Sequence, residues 1–364
     1  MKIIFPNVIL SSMLVKVSKT ASTGSSNNEV LKHLLIQAND HGCAMVGTNM
    51  ELSGVVRSSE VEVERSGIVL LPALMLKRIS DHAGDLITLE TIEDDQVEIS
   101  TDGTSWKLYC LDHSLFPEVP RISPNAQQVP RAMFLEALNF TKAAVGQDQS
   151  RPSLTFVSFD ERGAYSTDGT RAHYHRVPEP PVGLQVSILA IPPLIAQLRV
   201  CTDDFISIDV GQTHIVYQIG SDWFASRIMD IDFPDVRHQL LEPRLTSHTQ
   251  SLSVGRQRLL LAINRAQVIA DDRKKSVVSL RLMEGVCEVS SVSMKGDSSN
   301  SRIPVSFDGT ERRITLFADG LLDLLRVVSD EMVEFLLHPS KNEGALLYRS
   351  ASSQAILFPR ALDA

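Results

Sequence analysis

The chain has 364 residues, 43% of them apolar and 22% charged, with a formal net charge of -9. At roughly 100–200 residues per domain this length holds two or three domains. No apolar run reaches the roughly 18 residues of a membrane span, and the acidic total argues against a protein that coats nucleic acid indiscriminately. Cys43, Cys110, Cys201 and Cys287 lie far apart with no C-x-x-C pair. They read as single thiols of a reducing compartment. The start, Met1-Lys2-Ile3-Ile4-Phe5-Pro6, lacks the long apolar core of a signal peptide, so a cytoplasmic protein is expected.

Taken in order, the chain repeats itself three times. A helical pattern over 6–22 sets Leu10, Met13, Leu14 and Val17 on one face. A second, over 130–145, does the same with Phe134, Ala137, Leu138 and Val145, and a third, over 254–271, with Leu259, Ile263, Ala266 and Ala270. Pro6 and Pro130 suit a first turn. A shorter helix recurs over 72–82, 192–200 and 317–328, each time after an apolar strand. Alternating strands follow, and each third closes on Phe-Pro: Phe116-Pro117, Phe233-Pro234 and Phe358-Pro359. The order helix, strands, short helix, strands is an α+β unit with helices on one face of antiparallel sheets. The expected domains are 1–120, 121–244 and 245–364. The Ser/Thr/Asn/Gly-rich stretch 18–28 reads as a loop.

Charge divides by element. The six helices, with the third long one extended to Lys275, sum to +8, which leaves -17 on the rest. A basic helical layer on an acidic body suits a protein with one phosphate-facing surface.

One stretch stands out: Tyr165-Ser166-Thr167-Asp168-Gly169-Thr170-Arg171-Ala172. Asp-Gly between strand-like runs is a turn signal, because Gly tolerates positive φ and Asp bonds nearby backbone. Gly47-Thr48-Asn49-Met50-Glu51 lies in a similar setting upstream. Together with Ile191-Pro192, the run Ser226 to Asp235 and the terminal Ile356-Leu357-Phe358-Pro359-Arg360-Ala361-Leu362, this stretch resembles the bacterial sliding clamp family, the beta subunit of DNA polymerase III, over essentially the whole length.

The resemblance implies a head-to-tail homodimeric ring around double-stranded DNA, three clamp-type domains per chain, no cofactor and no metal. It implies a cleft that receives short peptides of the polymerase III catalytic subunit and the clamp loader. Carried over position by position, the cleft comprises Leu154, Thr167, Gly169, Arg171, Ala172, Pro234, His238, Ile356, Leu357, Phe358, Pro359 and Arg360. The DNA-facing surface carries Lys16, Lys19, Lys77, Arg78, Lys142, Gln147, Arg151, Arg199, Arg256, Arg258 and Arg265. The dimer contact joins Trp106 and Leu108 to Val268 and Ile269 of the other copy. The sequence departs from the family at Thr170, where His is usual, at Ala172, where Leu is usual, and at His238-Gln239, in place of a basic residue followed by an apolar one. It also continues through Asp363-Ala364 past the usual last Leu. These changes fall on the cleft rim, where peptide choice is made.

Catalytic signals are weak. There is no G-x-x-x-x-G-K-[ST] and no H-E-x-x-H. His173 and His175 share a strand face but read as a solvent-facing pair, and Glu93-Asp94-Asp95 and Asp203-Asp204 read as solvated charge runs. Asp-Gly-Thr recurs at Asp102, Asp168 and Asp308, which suits turns better than a nucleophile. Two other readings stand beside the clamp: a clamp-like adaptor that binds peptides without encircling DNA, and a hydrolase using Asp168, His173 or His175.

Overall fold

The computed structural model describes residues 1–22, 28–93, 95–229, 231–270, 272, 276–340 and 344–360. Part of the expected 18–28 loop, Asp94, Asp230, Asp271, the basic run Arg273-Lys274-Lys275 and the terminal Ala361 to Ala364 lie outside the described residues.

The threefold helical pattern is present. The long helices are α1 (Asn7–Val17), α3 (Arg131–Thr141) and α6 (Arg256–Ala266), each of 11 residues. The short ones are α2 (Ala73–His82), α4 (Ile191–Val200) and α7 (Ala318–Val327), each of 10. A further short helix, α5 (Glu242–Ser247), continues one π-type turn, Arg237–Leu241. The buried stripes follow the pattern, Leu10, Met13, Leu14 and Val17 on α1 and Leu259, Ile263 and Ala266 on α6, where Ala262 joins them; Ala270 lies beyond α6 in extended backbone. The long helices stop about a turn before the apolar periodicity does. After α3 and α6 the chain tightens into 3-10 turns, Lys142–Ala144 and Gln267–Ile269. Val145 is buried in extended backbone just past its turn. Periodicity alone cannot separate this from one more helical turn.

A repeated device fixes each helix pair. The first amide of each long helix has no intrahelical acceptor. Asn7 N donates to Asp85 O at 2.7 Å, Arg131 N to Asp204 O at 2.9 Å and Arg256 N to Glu331 O at 2.8 Å. The side chain of the same residue then bonds carbonyls at the end of the short helix. Asn7 Nδ2 donates to Ser80 O and Ala83 O. Arg131 donates through Nη1 to Leu198 O and through Nε to Asp203 O. Arg256 donates through Nη1 to Leu325 O and through Nε to Asp330 O. One position in each third thus supplies the capping donors of both helices.

The contacts group the chain into two compact units, 1–132 with 189–229, and 133–188 with 230–364. In the first, a five-stranded antiparallel sheet runs in the order Glu62–Arg65, Lys2–Pro6, Leu86–Glu93, Gln96–Thr101, Thr104–Tyr109. An eight-stranded sheet joins early strands to middle ones, Leu52–Ser58 pairing with Asp222–Arg227. In the second unit, a twelve-stranded sheet joins Arg171–Arg176 to Ser353–Leu357. The middle third gives strands to both sheets, so pairing is as continuous between thirds as within them. The core of the second unit packs α6 and α7 on the sheet through Leu259, Ile263, Leu321, Leu325, Val289, Leu316 and Phe335. No helix among the described residues is long and apolar enough to cross a membrane.

Candidate functional site

The site is built on the turn at 168–170. Strand Gly163–Thr167 enters it and Arg171–Arg176 leaves it. Gly169 has φ +89°, which a side chain would strain. The turn is tied by side chains. Asp168 Oδ1 accepts from Thr170 N at 2.8 Å and Arg171 N at 3.1 Å. Thr167 Oγ1 donates to Arg171 O at 2.6 Å and accepts from Gly169 N at 3.1 Å. The last strand zips onto it: Arg171 pairs Leu357, Ala172 pairs Ile356, and Phe358 N donates to Thr170 O at 2.9 Å. Residues about 185 apart in sequence are thereby brought side by side.

Arg171 is not a free donor. Its Nε lies 2.9 Å from Asp168 Oδ2 and its Nη1 2.9 Å from Asp323 Oδ2 on α7, with the side chain only 12% exposed. It joins the turn to the helix and forms a wall. Thr170, Arg171, Leu316, Phe317, Gly320, Leu357 and Phe358 surround a small depression. Its volume is about 10 Å³, close to what one water needs. Arg244 Cζ lies 5.2 Å from the centre of the Phe358 ring, and Arg360 Cζ 5.6 Å from that of Phe317.

The expected cleft residues divide into layers. Gly169, Pro234, His238, Pro359 and Arg360 are exposed, and Phe358 is half-buried. Ala172 and Ile356 are fully buried beneath Val236, Leu241 and Leu347, and form the floor of the wall rather than its surface. Leu154 is buried beside Gly146, a Cβ at which would lie 3.2 Å from the Leu154 Cβ. His238 is held by Asp235, its Nδ1 2.9 Å from Oδ1. The sequence reading missed Leu316, Phe317, Gly320, Asp323 and Arg244. Phe317 had a signal, since it opens the third short helix. Arg244 had none.

The basic residues also divide. Lys16 Nζ is 2.8 Å from the buried carboxylate of Asp222, Lys77 is paired with Asp81 at 2.7 Å, and Arg256 caps α7. These three serve the fold first. Lys19, Arg78, Arg258 and Arg265 are exposed, with no carboxylate in ion-pair distance among the described residues. Lys142 bonds Asn139 at 3.0 Å, and Arg199 and Gln147 are exposed. Arg151 sits at the 168–170 turn: a Cβ on Gly169 would lie 2.8 Å from its Nη2. Trp106, Leu108 and Ile269 are half-buried and Val268 is 72% exposed.

His173 and His175 correct the sequence reading, for neither faces solvent. Their exposures are 0% and 3%. His173 Nδ1 is 2.9 Å from Phe140 O, and its ring lies 4.9 Å from the Phe140 ring. His175 Nδ1 is 2.8 Å from Ser353 Oγ. The strand is covered on both faces, by the end of α3 on one and, through the stacked rings of Tyr165 and Tyr174, by the 233–247 segment on the other. Asp168, the other residue of the hydrolase reading, is spent on its own turn and on Arg171. Among the described residues no three His, Cys, Asp or Glu side chains gather to hold a metal ion.

The family profile of the DNA polymerase III beta subunit, C-terminal domain, matches residues 245–355. The beta sliding clamp of Synechococcus elongatus is 27% identical over 292 residues, covering 76% of each chain. That of Staphylococcus aureus is 24% identical over 280 residues, covering 72% of this chain and 73% of its own. Among solved structures, the DnaN sliding clamp (DNA polymerase III subunit beta) of Bartonella birtlesii, bound to griselimycin, has a TM-score of 0.90 at 22% identity, with 100% of both chains covered. Its Pseudomonas aeruginosa counterpart, also bound to griselimycin, has a TM-score of 0.88 at 21% identity with the same coverage. The chain is thus similar to the bacterial beta sliding clamps in sequence over three quarters of its length, matches their C-terminal family domain and shares their fold from end to end.

Proposed function

We propose that two copies close head to tail into a ring around duplex DNA, and that the ring tethers a replicative polymerase through the depression at the 168–170 turn. The fold shared with sliding clamps along the whole chain is the observation that carries this. In this reading the thirds 1–120, 121–244 and 245–364 are the three domains of each half-ring. The protein acts as a scaffold in the cytoplasm, with no catalytic residue and no cofactor, and a clamp loader opens it.

Two open strand edges support closure. Thr104–Tyr109 ends the five-stranded sheet. Ser298–Phe307 bonds Gln250–Gly255 only through its last residues, which leaves 298–304 free on that side. An unpaired edge is a template for another chain's strand. Trp106, Leu108 and Tyr109 lie on the first edge. Val268 and Ile269 follow α6, which packs on the Ser298–Phe307 strand.

Retention by such a ring is topological, so phosphate contacts need only be weak. Arg258 and Arg265 lie seven residues apart on one face of α6 and are exposed. Changing both to Glu is expected to shorten residence on circular DNA several-fold at 0.1 M salt and to leave the dimer mass unchanged. Binding to short linear duplex should be weak and fall steeply with salt, since only phosphates are touched. Tight, sequence-selective binding to linear duplex would contradict the ring.

The depression is too small as it stands for a Leu or Phe side chain. An incoming apolar anchor therefore displaces Phe358, the half-buried member of its lining, and packs against Phe317 and Leu357. The expected ligand is a short segment with a Gln and one or two large apolar residues. The test of the whole reading is retention on circular against linearised DNA together with peptide titration. Phe358→Ala should weaken such a peptide by roughly 1–3 kcal/mol, the scale of a lost anchor, with ring mass and DNA retention intact. Equal peptide affinity in wild type and variant would remove the cleft from the mechanism. Peptide binding without a preference for closed DNA circles would favour the adaptor.

A further inference from the structure

The depression has two aromatic walls, Phe317 and Phe358, and each carries a guanidinium, Arg360 over the first and Arg244 over the second. Neither guanidinium has a carboxylate in ion-pair distance among the described residues. The neighbouring acids are already matched. Asp168 and Asp323 share Arg171, Asp323 also accepts from Arg326, Glu242 lies beside Arg162 and Arg237, and Asp235 holds His238. Arg151, at the far end of the turn, likewise has no carboxylate in ion-pair distance among the described residues. Arg244 is held in place by Nη1, which donates to Leu240 O at 2.9 Å, while its Nε is buried with no acceptor among the described residues. The chain carries nine more acids than bases, so excess cations gathered at one small apolar site run against its overall balance.

We propose that Arg244 and Arg360 form a carboxylate-reading rim, so that the peptide accepted by this cleft carries acidic residues flanking its apolar anchor. This deepens the cleft reading above and rests on it. A guanidinium over an aromatic face is oriented, with its remaining N–H groups directed past the ring edge. A carboxylate arriving there meets donors already in position, and a charged acceptor makes the stronger hydrogen bond. Selectivity follows as well. A neutral flank gains no such bond and leaves the desolvated guanidinium unmatched, which disfavours it.

The experiment titrates two amide-capped, dye-labelled peptides by fluorescence anisotropy. Both contain the core Gln-Leu-Ser-Leu-Phe; one has Asp at two positions on either side of the core, the other Asn. Wild type is expected to bind the Asp peptide at least tenfold more tightly at low salt, and the advantage should shrink as salt rises. Arg244→Gln with Arg360→Gln should bring the two peptides within about twofold of each other. Arg360→Gln alone, at an exposed position, should remove part of the preference and covers the case in which the double variant folds poorly. Equal binding of both peptides by wild type overturns the rim, and if Phe358→Ala still weakens both, the cleft itself stands. A preference that survives in the double variant also overturns the rim. Failure of both peptides to bind wild type overturns the cleft reading and the rim together.

Discussion

Val268→Asp is expected to convert the protein from a particle of two chains to one of a single 40.1 kDa chain at micromolar concentration. Val268 is 72% exposed, so a charge there costs the isolated chain little, within about 0.5 kcal/mol for a surface change. In the proposed ring the same position is buried against Trp106 and Leu108 of the other copy. An unpaired charge in such a place costs roughly 3–5 kcal/mol. A head-to-tail ring of two has two identical contacts, so the substitution acts twice. Roughly 6–10 kcal/mol, at 1.4 kcal/mol per tenfold, weakens closure by at least four orders of magnitude. Ile269→Asp, half-buried next to it, should act the same way with some loss of fold stability added. Retention on circular DNA should disappear with the dimer, while peptide affinity at the depression survives. A wild type that weighs one chain, or a Val268→Asp protein that still weighs two, would remove the ring.

The six helices were legible because their stripes are amphipathic and recur at a near-constant interval. Their ends were not, because the chain past α3 and α6 stays apolar while its backbone leaves the helix. That the 168–170 turn and the last strand lie together could be expected only through repetition and resemblance. No local signal pairs Arg171 with Leu357, since that register is set by a sheet running from the middle third into the last. The strand Arg171–Arg176 misled for a related reason. Alternating polar residues mean a solvated face only when one face of the sheet is open, and here both are covered. The Arg residues misled in another way. Composition counts Arg256 and Lys16 as surface charge, but a carbonyl cap and a buried carboxylate claim them. Nothing in the sequence distinguishes those from Arg258 and Arg265.

The burial of His173 carries the second large expectation. Phe140 O can only accept, so Nδ1 carries the proton, and Nε2 is left buried with no partner among the described residues. Protonation would place an N–H where no described residue offers an acceptor. Burial, the dominant cause, accordingly pushes the imidazole down to about 4 from its ordinary 6.5. The Phe140 carbonyl and Asp168 oppose the shift, and Arg171 adds to it. The sign follows from linkage. Above pH 6.5 the ring is neutral in both folded and unfolded chains and contributes no pH dependence. Between 6.5 and 4 the unfolded chain binds a proton that the folded chain refuses, so stability falls as pH falls. At 1.36 kcal/mol per unit the loss approaches roughly 3 kcal/mol by pH 4. His173→Asn keeps an N–H donor for Phe140 O and removes the titration. Urea unfolding of the two proteins at pH 7.5, 5.5 and 4.5 should show the wild type losing more stability than the variant across that interval, by about 1 kcal/mol per unit in its lower part. The same pH slope in both proteins would show that His173 does not titrate on unfolding in this range. The cleft should feel the change as well, because His173 sits two residues beyond Arg171 on the strand that pairs with Ser353–Leu357. As pH approaches 4, peptide affinity should fall in the wild type before it falls in His173→Asn.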